Sequence, residues 1–268
     1  ATALTAGTSR YFDLCWAPDG KVVYASDASG DADIYEIAED GNGPRQLTSA
    51  GKRNYSPAVS PDGRRVAFHS NRSGIFQIWR IDRDGSNPKQ LTFGNSESNW
   101  PVFSRDGKWV FYQHFESGTP GMIWKVPIDG GTPIKVMDGF AIRPSISPDG
   151  KWIAVWQNDG QANSHWRLAL RPLEGDTSLK TFEVAPTVQV QWDTLIRWHS
   201  DNRTVTYVDH RGGIDNLWGQ SVDGGPPRQM TEFKEGRIFS FDWSSQGNLV
   251  ASRGVLNSDV VLISDASR

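Results

Sequence analysis

Short apolar runs alternate with polar turns along the whole chain, and no stretch keeps a helical period. The runs "FDLCW", "PAVS", "PVFS", "PSIS", "LIRW" and "SFDW" each end at a four-residue polar segment. A second set follows: "KVVYAS", "RRVAFHS", "KWVFYQH", "KWIAVWQ", "RTVTYVD" and "NLVASR". After a loop comes a third: "DIYEI", "QIWRI", "MIWKV", "WRLAL", "NLWGQ" and "VVLIS". Most copies then show an acidic-glycine turn and a last short run near "QLT". β-Branched and aromatic residues fill these runs, with some alternation of faces, which predicts strands rather than helices.

The polar segments form a repeat. "APDG", "SPDG", "SRDG" and "SPDG" end at Gly20, Gly63, Gly107 and Gly150, then "HSDN" at Asn202 and "SSQG" at Gly247. Pro sets φ for the first turning residue, Asp caps the turn, and Gly accepts a positive φ without steric cost. Turns are therefore predicted at 17–20, 60–63, 104–107, 147–150, 199–202 and 244–247, each joining adjacent antiparallel strands. A four-stranded sheet of this size cannot bury both faces alone, but sheets arranged radially can. The fold class predicted is all-β: a six-bladed β-propeller of four-stranded antiparallel blades, one domain over residues 1–268. Outermost strands fall at 2–5, 45–48, 89–92, 134–137, about 180–184 and 228–231. The sixth copy has no "QLT" after its third run, and "TALT" at the N-terminal end matches it. Residues 2–5 are thus expected to complete the last blade and cover a sheet edge that would otherwise be open.

Charge and composition narrow the function classes. Net charge is −3, which gives no basic excess for nucleic acid. No apolar run approaches the roughly 18 residues of a membrane helix. The single cysteine, Cys15, excludes an internal disulfide. No G-x-S-x-G, Walker loop, G-x-G-x-x-G or H-E-x-x-H pattern occurs. His69, His114, His165, His199 and His210 do not sit at metal-ligand spacings. Asp27, Asp31 and Asp33 alternate in one loop, which reads first as turn capping; a Ca²⁺ site is the alternative, although the EF-hand pattern is missing. Asp19, Asp62, Asp106 and Asp149 are read as turn residues. No other cofactor and no catalytic residue is expected.

The phrase "SPDGRRVAFHSNRSGIFQIWRIDRDGSNPKQLT", residues 60–92, resembles the repeat of TolB-like β-propellers. The resemblance extends over essentially the whole chain and is poorest in the fifth copy. It implies a fold, and no chemistry follows from it. Similar propellers dock partner proteins at the channel opening, gate prolyl-oligopeptidase-type peptidases, or sense ligands in bacterial receptors and regulators. The expectation is a monomeric, non-catalytic binding or sensory module of a larger bacterial envelope or signalling protein, periplasmic or extracellular. A metal-dependent propeller hydrolase or lyase, or a peptidase gate, is the alternative.

In a propeller the loops entering the innermost strands share one face. Here they are "TSRYF", "KRNYS", "SESNW", "FAIRP", "VQVQW" and "EGRIF". They are expected to place Arg10, Tyr11, Arg53, Asn54, Tyr55, Asn99, Trp100, Arg143, Trp192, Arg237 and Phe239 around one opening. Aromatic and arginine side chains dominate binding hot spots, and arginine pairs with carboxylates. A protein, peptide or small acidic ligand is the expected partner. The insertion between the fourth and fifth turns is expected to overhang this opening, or simply to lengthen a hairpin.

Overall fold

The computed structural model describes residues 2–5, 9–49, 52–116, 121–137, 139–160, 165–175, 178–190 and 194–254. Among these no residue is helical. The first sheet runs β1 (Tyr11–Trp16), β2 (Val22–Ser26), β3 (Asp33–Ile37) and β4 (Arg45–Gln46). The second holds β5 (Asn54–Val59), β6 (Arg65–Ser70), β7 (Gln77–Asp82) and β8 (Lys89–Gln90). The third holds β9 (Ser98–Phe103), β10 (Trp109–His114), β11 (Met122–Pro127) and β12 (Ile134–Lys135). The fourth holds β13 (Phe140–Ile146), β14 (Trp152–Asn158), β15 (Arg167–Pro172) and β16 (Lys180–Phe182). The fifth holds β17 (Ile196–Trp198), β18 (Thr204–Arg211), β19 (Ile214–Ser221) and β20 (Arg228–Gln229). A sixth sheet pairs β21 (Arg237–Trp243) with β22 (Leu249–Gly254). Strands within each sheet follow chain order and pair antiparallel.

The six expected turns form. The amide of Gly20, Gly63, Gly107, Gly150, Asn202 or Gly247 donates to the carbonyl three residues earlier, at 2.8–3.3 Å. In three copies a serine hydroxyl ties the turn together. Ser60, Ser104 and Ser147 each donate to the aspartate two residues on, at 2.6 Å. The same hydroxyls accept the amides of Arg65, Trp109 and Trp152, at 2.9 Å.

The "LT" of the outer run has two separate jobs. Leu47 and Leu91 fill the cores between blades. The following threonine latches the third strand. Thr48 donates to Asp33 at 2.6 Å and accepts the Ile34 amide at 3.0 Å. Thr92 does the same with Gln77 and Ile78, and Thr231 with Asn216 and Leu217. Buried polar atoms at the sheet edge are satisfied in this way.

Six apolar cores lie between successive sheets and make the ring. Val23, Ile34, Val66 and Phe68 pack between the first and second, and Trp156, Leu168, Val205 and Tyr207 between the fourth and fifth. The sixth sheet meets the first directly. The Leu14 amide donates to Ser240 Oγ at 3.1 Å, the Trp16 amide to Asp242 at 2.8 Å, and Ser252 Oγ to the Tyr11 carbonyl at 3.1 Å.

The expected propeller of four-stranded antiparallel blades forms, and the blade count differs among the described residues. The described residues form five such blades and a sixth sheet of two strands. Residues 2–5 form no strand. The run "VVLIS" at 260–264, their expected neighbour, lies outside the described residues. Leu4 still takes the position of an outer-strand leucine. It packs against the cluster of Leu14, Val22, Tyr24 and Ile37, as Val250 also does, and its carbonyl lies 3.1 Å from where a Cβ on Gly41 would be. Leu47 stands in the same relation to Gly85, at 2.7 Å.

Candidate functional site

The ring has two mouths. One carries the six turns and is lined by Trp16, Val59, Val102, Ser145, Arg197 and Asp242, around a cavity of about 790 Å³. Asp242 lies 3.6 Å from Arg197 there. Burial raises its carboxyl, and Arg197 only partly opposes the rise. Cys15 lines this end too, and burial pushes its thiol up to about 12, so it stays protonated and inert.

The opposite mouth carries the entering loops and encloses about 840 Å³. Of the expected rim residues it gathers Arg10, Tyr11, Tyr55, Trp100, Arg237 and Phe239. Phe239 is 40% exposed, high for a large apolar side chain. Others of the expected set are placed differently. Arg53 is exposed outside the lining. Asn54 is fully buried and donates to Asp33 at 2.9 Å. Asn99 is buried beside Trp100, and Trp192 falls outside the described residues. Arg143 is 3% exposed, with its guanidinium 4.5 Å from the Trp100 ring centre, behind the lining rather than in it.

A backbone device shapes this end. Ser56, Trp100 and Arg143 have φ of 49°, 53° and 58°, and each stands just before a proline. The pairing register slips at the same points, between Tyr55 and Ala58, Asn99 and Val102, and Ile142 and Ser145. Proline cannot donate to the ladder, and it disfavours the right-handed helical region for the residue before it. The inner strands bulge at these prolines, and β1 and β21 slip register at the equivalent place without one, which re-aims side chains near the channel. Non-glycine residues in the left-handed region at three equivalent places are the kind of strain that clusters at binding sites.

The bulges set an aromatic arc. Phe12 meets Tyr55 edge to face, with centroids 5.1 Å apart. Tyr55 contacts His69 and Phe76, His69 meets Trp100, and Trp100 meets Phe115. His69 accepts the Trp100 amide at Nδ1, at 3.3 Å. Burial, assisted by the charge of Arg143, pushes His69 down to about 3 although Asp13 opposes it, so the ring is neutral. Across the mouth, the buried Asp215 holds His210 at 2.6 Å, Arg237 at 3.0 Å and the Ile238 amide at 2.8 Å.

Sequence reasoning passed over Phe12, His69, His210 and Asp215 as parts of this opening. Second-strand ends come to the mouth only when the ring forms, so only the repeat register could have marked them. The insertion does reach the rim: Thr187, Gln189 and Thr194 line it, and Val188 anchors the segment in the core beneath. Asp27 and Asp33 are engaged elsewhere. Asp27 pairs with Arg10 at 2.8 Å, and hydrogen bonds from that residue's side chain and amide hold its carboxyl below the usual range. Asp33 accepts from Thr48, Asn54, Ser29 and Gln46. Among the described residues no three His, Cys, Asp or Glu side chains cluster as metal ligands, and no helix is long and apolar enough to cross a membrane.

Solved structures share this architecture. A TolB candidate from Agrobacterium tumefaciens superposes with a TM-score of 0.73 at 19% identity, over 95% of this chain and 93% of its own. TolB from Acinetobacter baumannii gives 0.70 at 20% identity, over 87% of this chain; the match spans 57% of that protein. A gluconolactonase from Xanthomonas campestris gives 0.68 at 15%, over 94% of this chain and 85% of its own. At these identities the likeness is one of fold. No curated protein sequence matches the chain. Residues 28–168, just over half the chain, match the Tricorn protease N-terminal beta propeller domain, and the chain belongs to that family as a TolB-like β-propeller.

Proposed function

We propose that this propeller is a non-catalytic binding module whose entering-loop mouth takes a peptide segment of a partner protein. The observation that carries the reading is the mouth itself. Partly exposed Tyr55, Trp100 and Phe239 face a cavity of about 840 Å³ between blades whose inner strands are bulged and strained there. Rigid aromatic anchors in a concave site are what peptide recognition uses. The likeness to TolB proteins supports a docking or sensory role within a larger envelope or signalling protein, outside the cytoplasm. The family match favours a second reading in which the same mouth admits peptides to a protease domain. Both readings require peptide contact here.

The test is selection from a phage-displayed library of random peptides, followed by affinity measurement on the winners. Phe239→Ala and Trp100→Ala should each weaken them by about tenfold or more, the range seen on truncating a hot-spot aromatic. Failure to enrich any peptide, or equal binding by both variants, would overturn the reading.

A further inference from the structure

The arginines that would give this mouth an acidic ligand are already engaged. Arg10 is paired with Asp27 at 2.8 Å and Arg237 with Asp215 at 3.0 Å. Arg253 lies on the Phe233 ring at 3.5 Å and donates to the Glu235 carbonyl. Arg143 is buried behind Trp100 and does not line the cavity.

Asp13 differs from Arg10 and Arg237 in having no oppositely charged hydrogen-bond partner among the described residues. It lines the mouth on the first inner strand. Its partner among the described residues is neutral, the Ser56 hydroxyl at 2.6 Å. The positive φ of Ser56 sets that hydroxyl, and one serine O–H occupies only one site on a carboxylate that has several. His69, in the same lining, is uncharged and adds no compensation. The same mouth is lined by Phe12, Tyr55, Trp100 and Phe241, together with Arg10, Arg237 and Arg253. A carboxylate that shares a mouth with aromatic rings can recognise a cation, by Coulomb attraction and by the negative faces of the rings.

We propose that the mouth selects a basic side chain, arginine or lysine, its charge on Asp13 and its stem against Tyr55 and Trp100. This rests on the peptide-binding reading and fixes the sign of the ligand.

The test uses single-charge probes on the whole chain. N-acetylargininamide and the amide of N-acetylglutamate are titrated against the Trp100 indole N–H resonance, assigned with Trp100→Phe. Wild type should respond saturably to the arginine probe and not to the glutamate probe. Asp13→Asn should weaken the arginine probe about tenfold or more, as expected on losing a charge-assisted hydrogen bond. Asparagine can still accept from Ser56, and the wild-type preference is read without any variant. Equal or tighter binding of the glutamate probe would overturn the proposal, as would an unchanged affinity in Asp13→Asn. Selected library peptides that are acidic and still need Trp100 would overturn this inference and leave the peptide-binding reading standing. An empty selection would overturn that reading instead.

Discussion

His69 offers a quantitative check on how dry the wall behind the mouth is. Its ring is 6% exposed, hydrogen-bonded to the Trp100 amide, and held down to about 3 by burial. An unfolded chain binds this proton near 6.5. The folded pKa is depressed, so below 6.5 the unfolded state carries more protons and stability falls as pH falls. Each pH unit below 6.5 costs about 1.4 kcal/mol until the folded pKa is approached. Between pH 7.5 and 5.0 the loss owed to His69 is therefore about 2 kcal/mol. His69→Asn keeps an acceptor near Nδ1 and removes the titration. It forfeits the ring contacts with Tyr55, Phe76 and Trp100, a loss that does not depend on pH. Urea unfolding of both proteins at the two pH values gives the comparison, and other titrating groups cancel in the difference. Wild type should lose about 2 kcal/mol more than the variant. Equal losses, or a His69 ring resonance that titrates near pH 6.5, would refute the buried, neutral assignment.

Three further outcomes follow from the packing. Ser60→Ala removes a hydroxyl that donates to Asp62 and accepts from Arg65, and should lower stability in urea by about 1–2 kcal/mol. The Ser60 hydroxyl holds the Asp62 carboxyl below its usual range, so this contribution is present above the unfolded pKa and fades as pH falls through the folded one; the variant should lack that acid-limb dependence. Thr48→Val strands the Ile34 amide and removes a donor from the buried Asp33, and should cost about 2–3 kcal/mol by the same measurement. Phe68→Ala, fully buried between the first two blades, should cost about 3–5 kcal/mol, while the conservative Phe68→Leu should cost much less.

The turns, strands and ring were legible in the chain because they are local and repeated. "SPDG" carries its own geometry: the serine, aspartate and glycine that close each turn lie within four residues of one another. The mouth was half legible. The entering loops were located from the repeat, but the ion pairs of the mouth were not. Arg10 and Arg237 find Asp27 and Asp215 only across a folded hairpin or a blade boundary, 17 and 22 residues away. Asn54 was misplaced for the same reason, since its partner Asp33 belongs to the previous blade. Three of the bulges did have a signal: Pro57, Pro101 and Pro144 stand inside innermost runs, where an unbroken ladder has no place for proline, whereas β1 and β21 bulge without one.

The most direct test of the account is a hydrogen-exchange footprint of a selected peptide on the intact chain. Protection should appear at residues 10–13, 54–56, 98–101 and 237–241, which carry Asp13, Tyr55, Trp100 and Phe239 at one mouth. Protection confined to 17–20, 60–63, 104–107 and 147–150 would place the ligand at the opposite mouth and contradict the assignment.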